Sequence, residues 1–358
     1  MTLPNDAPPP GAATPNPVTP DHATADRATP DRATPGRATP GRATAPKILF
    51  DCDTGIDDAM MLLYLAAEVR AGNAELVGVG TVHGNVDART GALNTLRVLE
   101  LAKIDDVPVA VGAERPMAQD VHYALDWHGR NGLADLDLPE PAARPSAEPA
   151  AAQIVRLARE NPGELTIVAT GSLTNLGAAL LLDDELPALV REVVVMGGAF
   201  DHPGNSTTHA EANIYHDPEA ADLVFAADWP VVLVPLDATH PTAVGADWLA
   251  RLAGHDSSIA RFASQIMEWY ADAYTPTLRR RGAVVHDALA AMLALTPELC
   301  EYVERPVRVE LRGELTRGMT VWDARSLPAP DSRRPVRIAV GSDTAAFQDC
   351  LLSAVLSL

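Results

Sequence analysis

Six short runs of β-branched and apolar residues alternate along the chain with longer stretches of helical character. They read KILF (47–50), ELVGVGTV (75–82), VPVAVGA (107–113), ELTIVAT (164–170), EVVVMGGA (192–199) and PVVLVPLDAT (230–239). Runs this short and this continuously apolar suit strands buried on both faces. The intervening stretches at 57–70, 88–102 and 150–159 are long enough to return from the end of one strand to the start of the next. Such alternation predicts parallel strands with right-handed crossovers, an open α/β sheet flanked by helices. A helix-rich region at 245–295 and strands near 306–313 and 335–340 are expected to complete one large domain from residue 47 to residue 358.

Residues 1–46 follow another rule. They are rich in Pro, Ala and Thr and carry the five-residue repeat DRATP DRATP GRATP GRATA. Too few large apolar groups are present to offset the entropy of ordering, so a disordered tail is expected. Its aspartates and arginines balance, so the formal net charge of −20 belongs to the domain. That sign argues against nucleic acid and anionic membrane as partners, because both reward clustered cations. Lysine occurs only at positions 47 and 103, which leaves little room for lysine chemistry. Three widely spaced cysteines, without a CxxC pair, suit a reducing compartment, and a cytoplasmic location is the expectation.

The stretch KILFDCDTGIDDAM places Asp51, Asp53, Asp57 and Asp58 within eight positions directly after the first strand. Ligand sites in open α/β sheets lie beyond the carboxyl ends of the strands, and other polar residues share that location. Asn85 follows the second strand, Thr170 and Asn175 the fourth, and MGGAF closes the fifth. Three uses of clustered aspartates compete. A calcium EF-hand loop requires Gly at its sixth position and Glu at its twelfth, where this chain has Ile56 and Leu62. A phosphatase of the haloacid-dehalogenase type also begins with Asp-x-Asp after a strand, but has Gly then Thr where this chain has Thr54 then Gly55. The third use is a calcium-assisted hydrolase. Asp51, Asp53 and Asp58 would surround a cation, which removes their repulsion and acidifies a water. Asp57, Asn205, Glu211 and Asn213 suit sugar hydroxyls better than phosphate, which favours Arg, Lys or a glycine-rich loop. In GAVVHDALAAM, His286 and Asp287 stand together after an apolar run. Asp287 would add an anionic ligand, and His286 would face the leaving group.

Taken together, these motifs resemble the inosine–uridine-preferring nucleoside hydrolases. The resemblance runs from about residue 47 to residue 343. It includes DCDTGIDDA (51–59), TVHGN (81–85), HGRNGL (128–133), ATGSLTN (169–175), VVMGGAF (194–200), GNSTTHAEANIYHDPEAA (204–221), LDATH (236–240), VHDA (285–288) and RGMTV (317–321). It implies a Rossmann-like sheet and cleavage of the N-glycosidic bond of ribonucleosides, with broad or pyrimidine-leaning specificity that includes inosine and uridine. It also implies Ca²⁺ held by Asp51, Asp53, Asp58, Asp287 and the carbonyl of Thr170, with Asp53 as general base. Asp57, Asn85, Asn205, Glu211, Asn213 and Asp287 would hold the ribose. His286 would assist the departing base, and His128 and Tyr274 would line its pocket. A homodimer or homotetramer is implied as well. Thr54 and Ala288 stand where the family usually has proline, Ala212 where it is often aromatic, and Asn131 where it is often acidic. Two alternatives stay open: the phosphatase, with Asp51 as nucleophile, and a protein that binds nucleoside or ribose without turnover.

Overall fold

A computed structural model describes residues 45–358 apart from 105, 326 and 329. The expected tail therefore lies outside the described residues, except for its last two. The first six strands are β1 (Lys47–Cys52), β2 (Glu75–Thr81), β3 (Val109–Val111), β4 (Leu165–Ala169), β5 (Glu192–Met196) and β6 (Val231–Val234). They pair in the order β3-β2-β1-β4-β5-β6, all parallel. Val336–Ser342 continues the sheet parallel to β6, and Cys300–Arg305 closes its edge antiparallel. The order reverses between β1 and β4, so the loops leaving these two strands diverge and open a crevice at their carboxyl ends.

Pleating sends alternate side chains to opposite faces. Ile48, Phe50 and Cys52 pack into the core on one face, and Leu49 joins Ile167, Val193 and Leu233 on the other. A fully buried side chain such as Phe50 contributes about 1.5–3 kcal/mol. Helix α1 (Ile56–Arg70) is buried at every residue from 56 to 67, held between the sheet and the helices His286–Leu295 and Thr344–Leu356. Helix α2 (Ala88–Leu101), capped by Asp87 Oδ1 on Thr90 N at 2.9 Å, returns from β2 toward β3. Among the described residues no helix is long and apolar enough to cross a membrane.

Several expected boundaries differ. Asp51 lies inside β1 rather than after it. The sixth strand stops at Val234, because Pro235 cannot donate to the ladder and instead precedes the helical turn Leu236–Thr239. The strand expected near 306–313 stays out of the main sheet: Arg308–Val309 pairs only with Thr320–Val321. The strand that does complete the sheet, Cys300–Arg305, was hidden by its charges. Glu301, Glu304 and Arg305 are exposed, as suits an edge that must not recruit other strands.

Candidate active site

The acidic turn between β1 and α1 is clamped by polar groups of the segments that follow β2 and β4. Asp51 Oδ1 accepts from Asn175 Nδ2 at 2.8 Å, and Asn175 is fixed in turn by Thr81 O and Ala113 N. The backbone and side-chain N–H groups of Asn85 reach the two oxygens of Asp53 at 2.8 and 2.9 Å. A Cβ at the neighbouring Gly84 would stand 1.8 Å from Asp53 Oδ2, so only glycine lets the chain wrap this carboxylate. Asp58 accepts from Gly55 N at 2.8 Å, which caps α1, and from Thr170 Oγ1 at 2.8 Å.

Asp57, Asp58 and Asp287, all buried, offer oxygens within 4.8 Å of one another. Burial and then the charge of Asp58 push Asp57 up to about 8. Burial, followed by Asp57, Asp58 and Asp53, raises Asp287 well above the ordinary carboxylate range. Asp53 is raised by burial and Asp58. Burial also pushes Asp51 up to about 7, against the opposing hydrogen bond from Asn175. Without a countercharge these groups keep protons that carboxylates normally shed. The donor set fits a hard divalent cation. Every candidate ligand is an oxygen, and Asp51 Oδ2 and Asp57 Oδ1 are buried with no protein partner. Asp57, expected at the sugar, lines the cavity and also stands with Asp58 and Asp287. Asp53 is turned to Asn85, and the Thr170 carbonyl accepts from Asn213 Nδ2 at 2.8 Å.

A cavity of about 470 Å³ meets this cluster through Asp57 and Asp287, while Asp51, Asp53 and Asp58 lie outside its lining. One wall comes from the segment after β5. Glu211 caps the short helix Ala212–His216, its oxygens taking the amides of Asn213, Ile214 and Gly198 at 2.9–3.1 Å. Burial pushes Glu211 up to about 7, against these amides, which favour the ionised form. Asn205, exposed at the rim, accepts from Ala212 N at 2.9 Å. The opposite wall is aromatic. His286 opens the helix His286–Leu295 and is locked on both nitrogens, Nδ1 to Thr239 Oγ1 and Nε2 to Tyr274 OH, each at 2.7 Å. Burial and the neighbouring imidazoles of His240, His202 and His128 keep it neutral, well below its ordinary range. His128 Nδ1 accepts from Ile56 N at 3.0 Å and lies 3.9 Å from Asp57.

The fold thus gathers every residue the sequence singled out for sugar or base around one cavity, which also has Thr170 and Asp287 in its lining. Sequence reasoning missed Tyr270, Trp127 and His240. Tyr270 precedes Tyr274 by one helical turn and meets it edge-on, with ring centroids 4.9 Å apart. The i, i+4 spacing in WYADAY was the available signal. Trp127 lies 4.9 Å from Tyr274, and His240 5.5 Å from His286; only the fold brings these together. Among the described residues no lysine or arginine lines the cavity. Lys47 pairs with Glu164 at the amino end of β1, and Lys103 follows the far end of α2. A phosphoryl-transfer site of the kind weighed above therefore lacks its cation side chain.

The departures in the acidic turn and the adjoining loop are structurally absorbed. Thr54 Oγ1 bonds Thr95 Oγ1 at 2.7 Å and Cys52 Sγ at 3.1 Å. Asn131 uses both ends of its amide. Oδ1 accepts from Leu133 N and Asp135 N, and Nδ2 donates to Leu136 O at 2.9 Å, which a carboxylate could not do.

The sequence profile of the inosine-uridine preferring nucleoside hydrolases matches residues 48–349. The chain is 35% identical to a probable uridine nucleosidase 2 of Arabidopsis thaliana over 277 residues, 77% of this chain and 85% of that one. It is likewise 35% identical to the inosine-uridine preferring nucleoside hydrolase of Crithidia fasciculata over 313 residues, 86% of this chain and 97% of the other. Among solved structures it is similar to a plant nucleoside hydrolase (TM-score 0.83, 29% identity, 87% of this chain and 99% of that chain). It is also similar to a purine-preferring ribonucleoside hydrolase from Gardnerella vaginalis (TM-score 0.81, 29% identity, 87% and 98%).

Proposed function

The chain belongs to the inosine-uridine preferring nucleoside hydrolase family, and from that membership we propose how its cavity cleaves the N-glycosidic bond of ribonucleosides to free base and ribose. One observation carries the reading. A cavity floored by buried carboxylates and walled by a neutral His–Tyr pair, with no cation side chain in its lining, suits a ribosyl group that becomes positive as it reacts.

Asp51, Asp53, Asp58, Asp287 and the Thr170 carbonyl would hold Ca²⁺, with Asp57 close enough to Asp58 and Asp287 to join them or to turn to the sugar. Bound there, the cation would relieve the carboxylates of their protons and lower the pKa of a nearby water. Asp53, oriented by Asn85, takes the proton of the attacking water as general base. Asp57, Asn85, Asn205, Glu211, Asn213 and Asp287 fix the ribose hydroxyls. Their negative and dipolar groups favour the oxocarbenium-like transition state over the neutral ground state. The departing base meets His286, Tyr274 and His128. The Tyr274–His286 pair, already bonded at 2.7 Å, steadies the base by hydrogen bonding as its bond to C1′ breaks, and the proton the base ends with is replaced, through solvent, by the one Asp53 draws from the attacking water.

The test is release of free ribose from inosine and from uridine by the purified protein, run after chelation and again after Ca²⁺ is added back. Turnover that disappears and returns with the ion supports the reading. No ribose from either nucleoside, with folded protein and saturating Ca²⁺, sinks it.

A further inference from the structure

Asn94 sits in the middle of α2, 1% exposed, behind the acidic turn and facing no part of the cavity lining. Its side-chain Nδ2 donates twice, to the carbonyl of Thr54 at 3.1 Å and to the carbonyl of Asn131 at 2.8 Å. Its Oδ1 accepts from Arg97 Nη1 at 3.0 Å. The two carbonyls belong to different working parts. Thr54 stands between Asp53 and Gly55 in the acidic turn. Asn131 lies three residues beyond His128, in the loop that follows this cavity-lining residue. The two segments touch because Gly132 has no side chain: a Cβ there would stand 2.9 Å from Asn94 Nδ2 and 3.1 Å from Thr54 O. Thr95, the next residue of α2, also grips Thr54 through its hydroxyl at 2.7 Å, but no hydrogen bond joins it to the loop.

We propose that Asn94 is a positioning residue that couples the cation-binding turn to the loop that follows His128, so that filling the first sets the geometry of the second. The proposal rests on the nucleoside hydrolase reading and extends it to a residue that touches neither cation nor substrate. A buried amide with both hydrogens committed to carbonyls resists displacement, since losing it strands two acceptors away from water. A shift of the turn around an ion is therefore passed to residues 129–136 through the Asn94 amide, alongside the bond from Ile56 N to His128 Nδ1 that ties the start of α1 to His128 itself.

Amide hydrogen exchange of the full-length protein, with and without Ca²⁺, reads this coupling directly. The expected result is slower exchange at 51–58 and also at 129–136, although the loop supplies no ligand. Protection confined to 51–58 overturns the coupling alone; no protection at either segment overturns the cation reading and the coupling with it. Two variants sharpen the result. In Asn94→Ala, Ca²⁺ is expected to protect 51–58 but not 129–136, and the inosine-to-uridine ratio of kcat/KM is expected to shift roughly 2- to 30-fold. In Thr95→Val, which breaks a bond to the turn but none to the loop, both protections and the ratio stay as in the parent. A purely structural role for Asn94 would slow both substrates equally and leave the ratio unchanged. Should Asn94→Ala not fold, the exchange experiment on the unaltered protein decides by itself.

Discussion

The floor and the aromatic wall of the cavity are built by opposite strategies. Four carboxylates at and beneath the floor come from eight consecutive residues, with Asp57 alone of them in the cavity lining, and hydrogen bonds hold the other three. Asn175 holds Asp51, Asn85 holds Asp53, and Thr170 together with the amide of Gly55 holds Asp58. The wall comes from remote segments. Trp127 and His128 stand before one loop, Thr239 and His240 follow β6, Tyr270 and Tyr274 share the long helix Ser258–Leu278, and His286 opens another. There the side chains hold one another through ring contacts and two 2.7 Å hydrogen bonds. A floor fixed by directed hydrogen bonds tolerates little change in chemistry, whereas a wall of mutually packed rings can be retuned one ring at a time. On the function proposed above, the reaction belongs to the first and the choice of base to the second.

The comparison can be broken most severely at Asp53. Asp53→Asn should lower kcat about 10³- to 10⁴-fold on inosine and uridine alike, measured as ribose release at saturating Ca²⁺. Unequal losses would mean that the floor also selects the base. Next comes the pH dependence of stability in chelated protein. Asp57 at about 8 and Asp51 at about 7 lie above the ordinary unfolded value of 3.8, so the folded state binds more protons between these limits. This contribution to stability is then full below about pH 4 and is lost as pH rises to about 8. Denaturant titrations across that range should show the decline, and saturating Ca²⁺ should abolish it. A chelated protein that gains stability from pH 5 to pH 8 would contradict the buried, proton-retaining floor.

His286→Ala tests the wall and should cost about 10²-fold in kcat, unevenly between the two nucleosides because their bases leave with different ease. Tyr274→Phe removes one hydroxyl and leaves the ring packing. Its effect should be smallest, about fivefold, appearing as a change in the inosine-to-uridine ratio rather than as an equal loss on both. Equal losses would assign Tyr274 to holding His286 rather than to reading the base.

The same contrast explains what was legible in the sequence. β1 and the acidic turn are contiguous, so a strand pattern followed by DCDTGIDD showed both the topology and the place of the floor. TVHGN and ATGSLTN could be set beside it, because parallel strands carry their loops to the same end of a sheet. The grouping of Asp57 with Asp58 and Asp287 was not legible, since it depends on where the helix His286–Leu295 docks against α1. Trp127 and His240 reach the wall only through tertiary packing that no local period records. Cys300–Arg305 was overlooked for the opposite reason: an edge strand carries charges where buried strands carry valine. The role of Asn94 was invisible because one asparagine in an amphipathic helix looks like any other polar residue.

The distribution of lysine has a practical consequence. Lys47 begins β1 at the end of the sheet away from the cavity, and Lys103 is exposed beyond the helix that returns from β2. Amine-reactive chemistry applied to the described domain would therefore attach at its rear. A bead, sensor surface or fluorophore coupled through these two amines would leave the cavity mouth turned toward solution, with no reactive amine in the lining to be blocked.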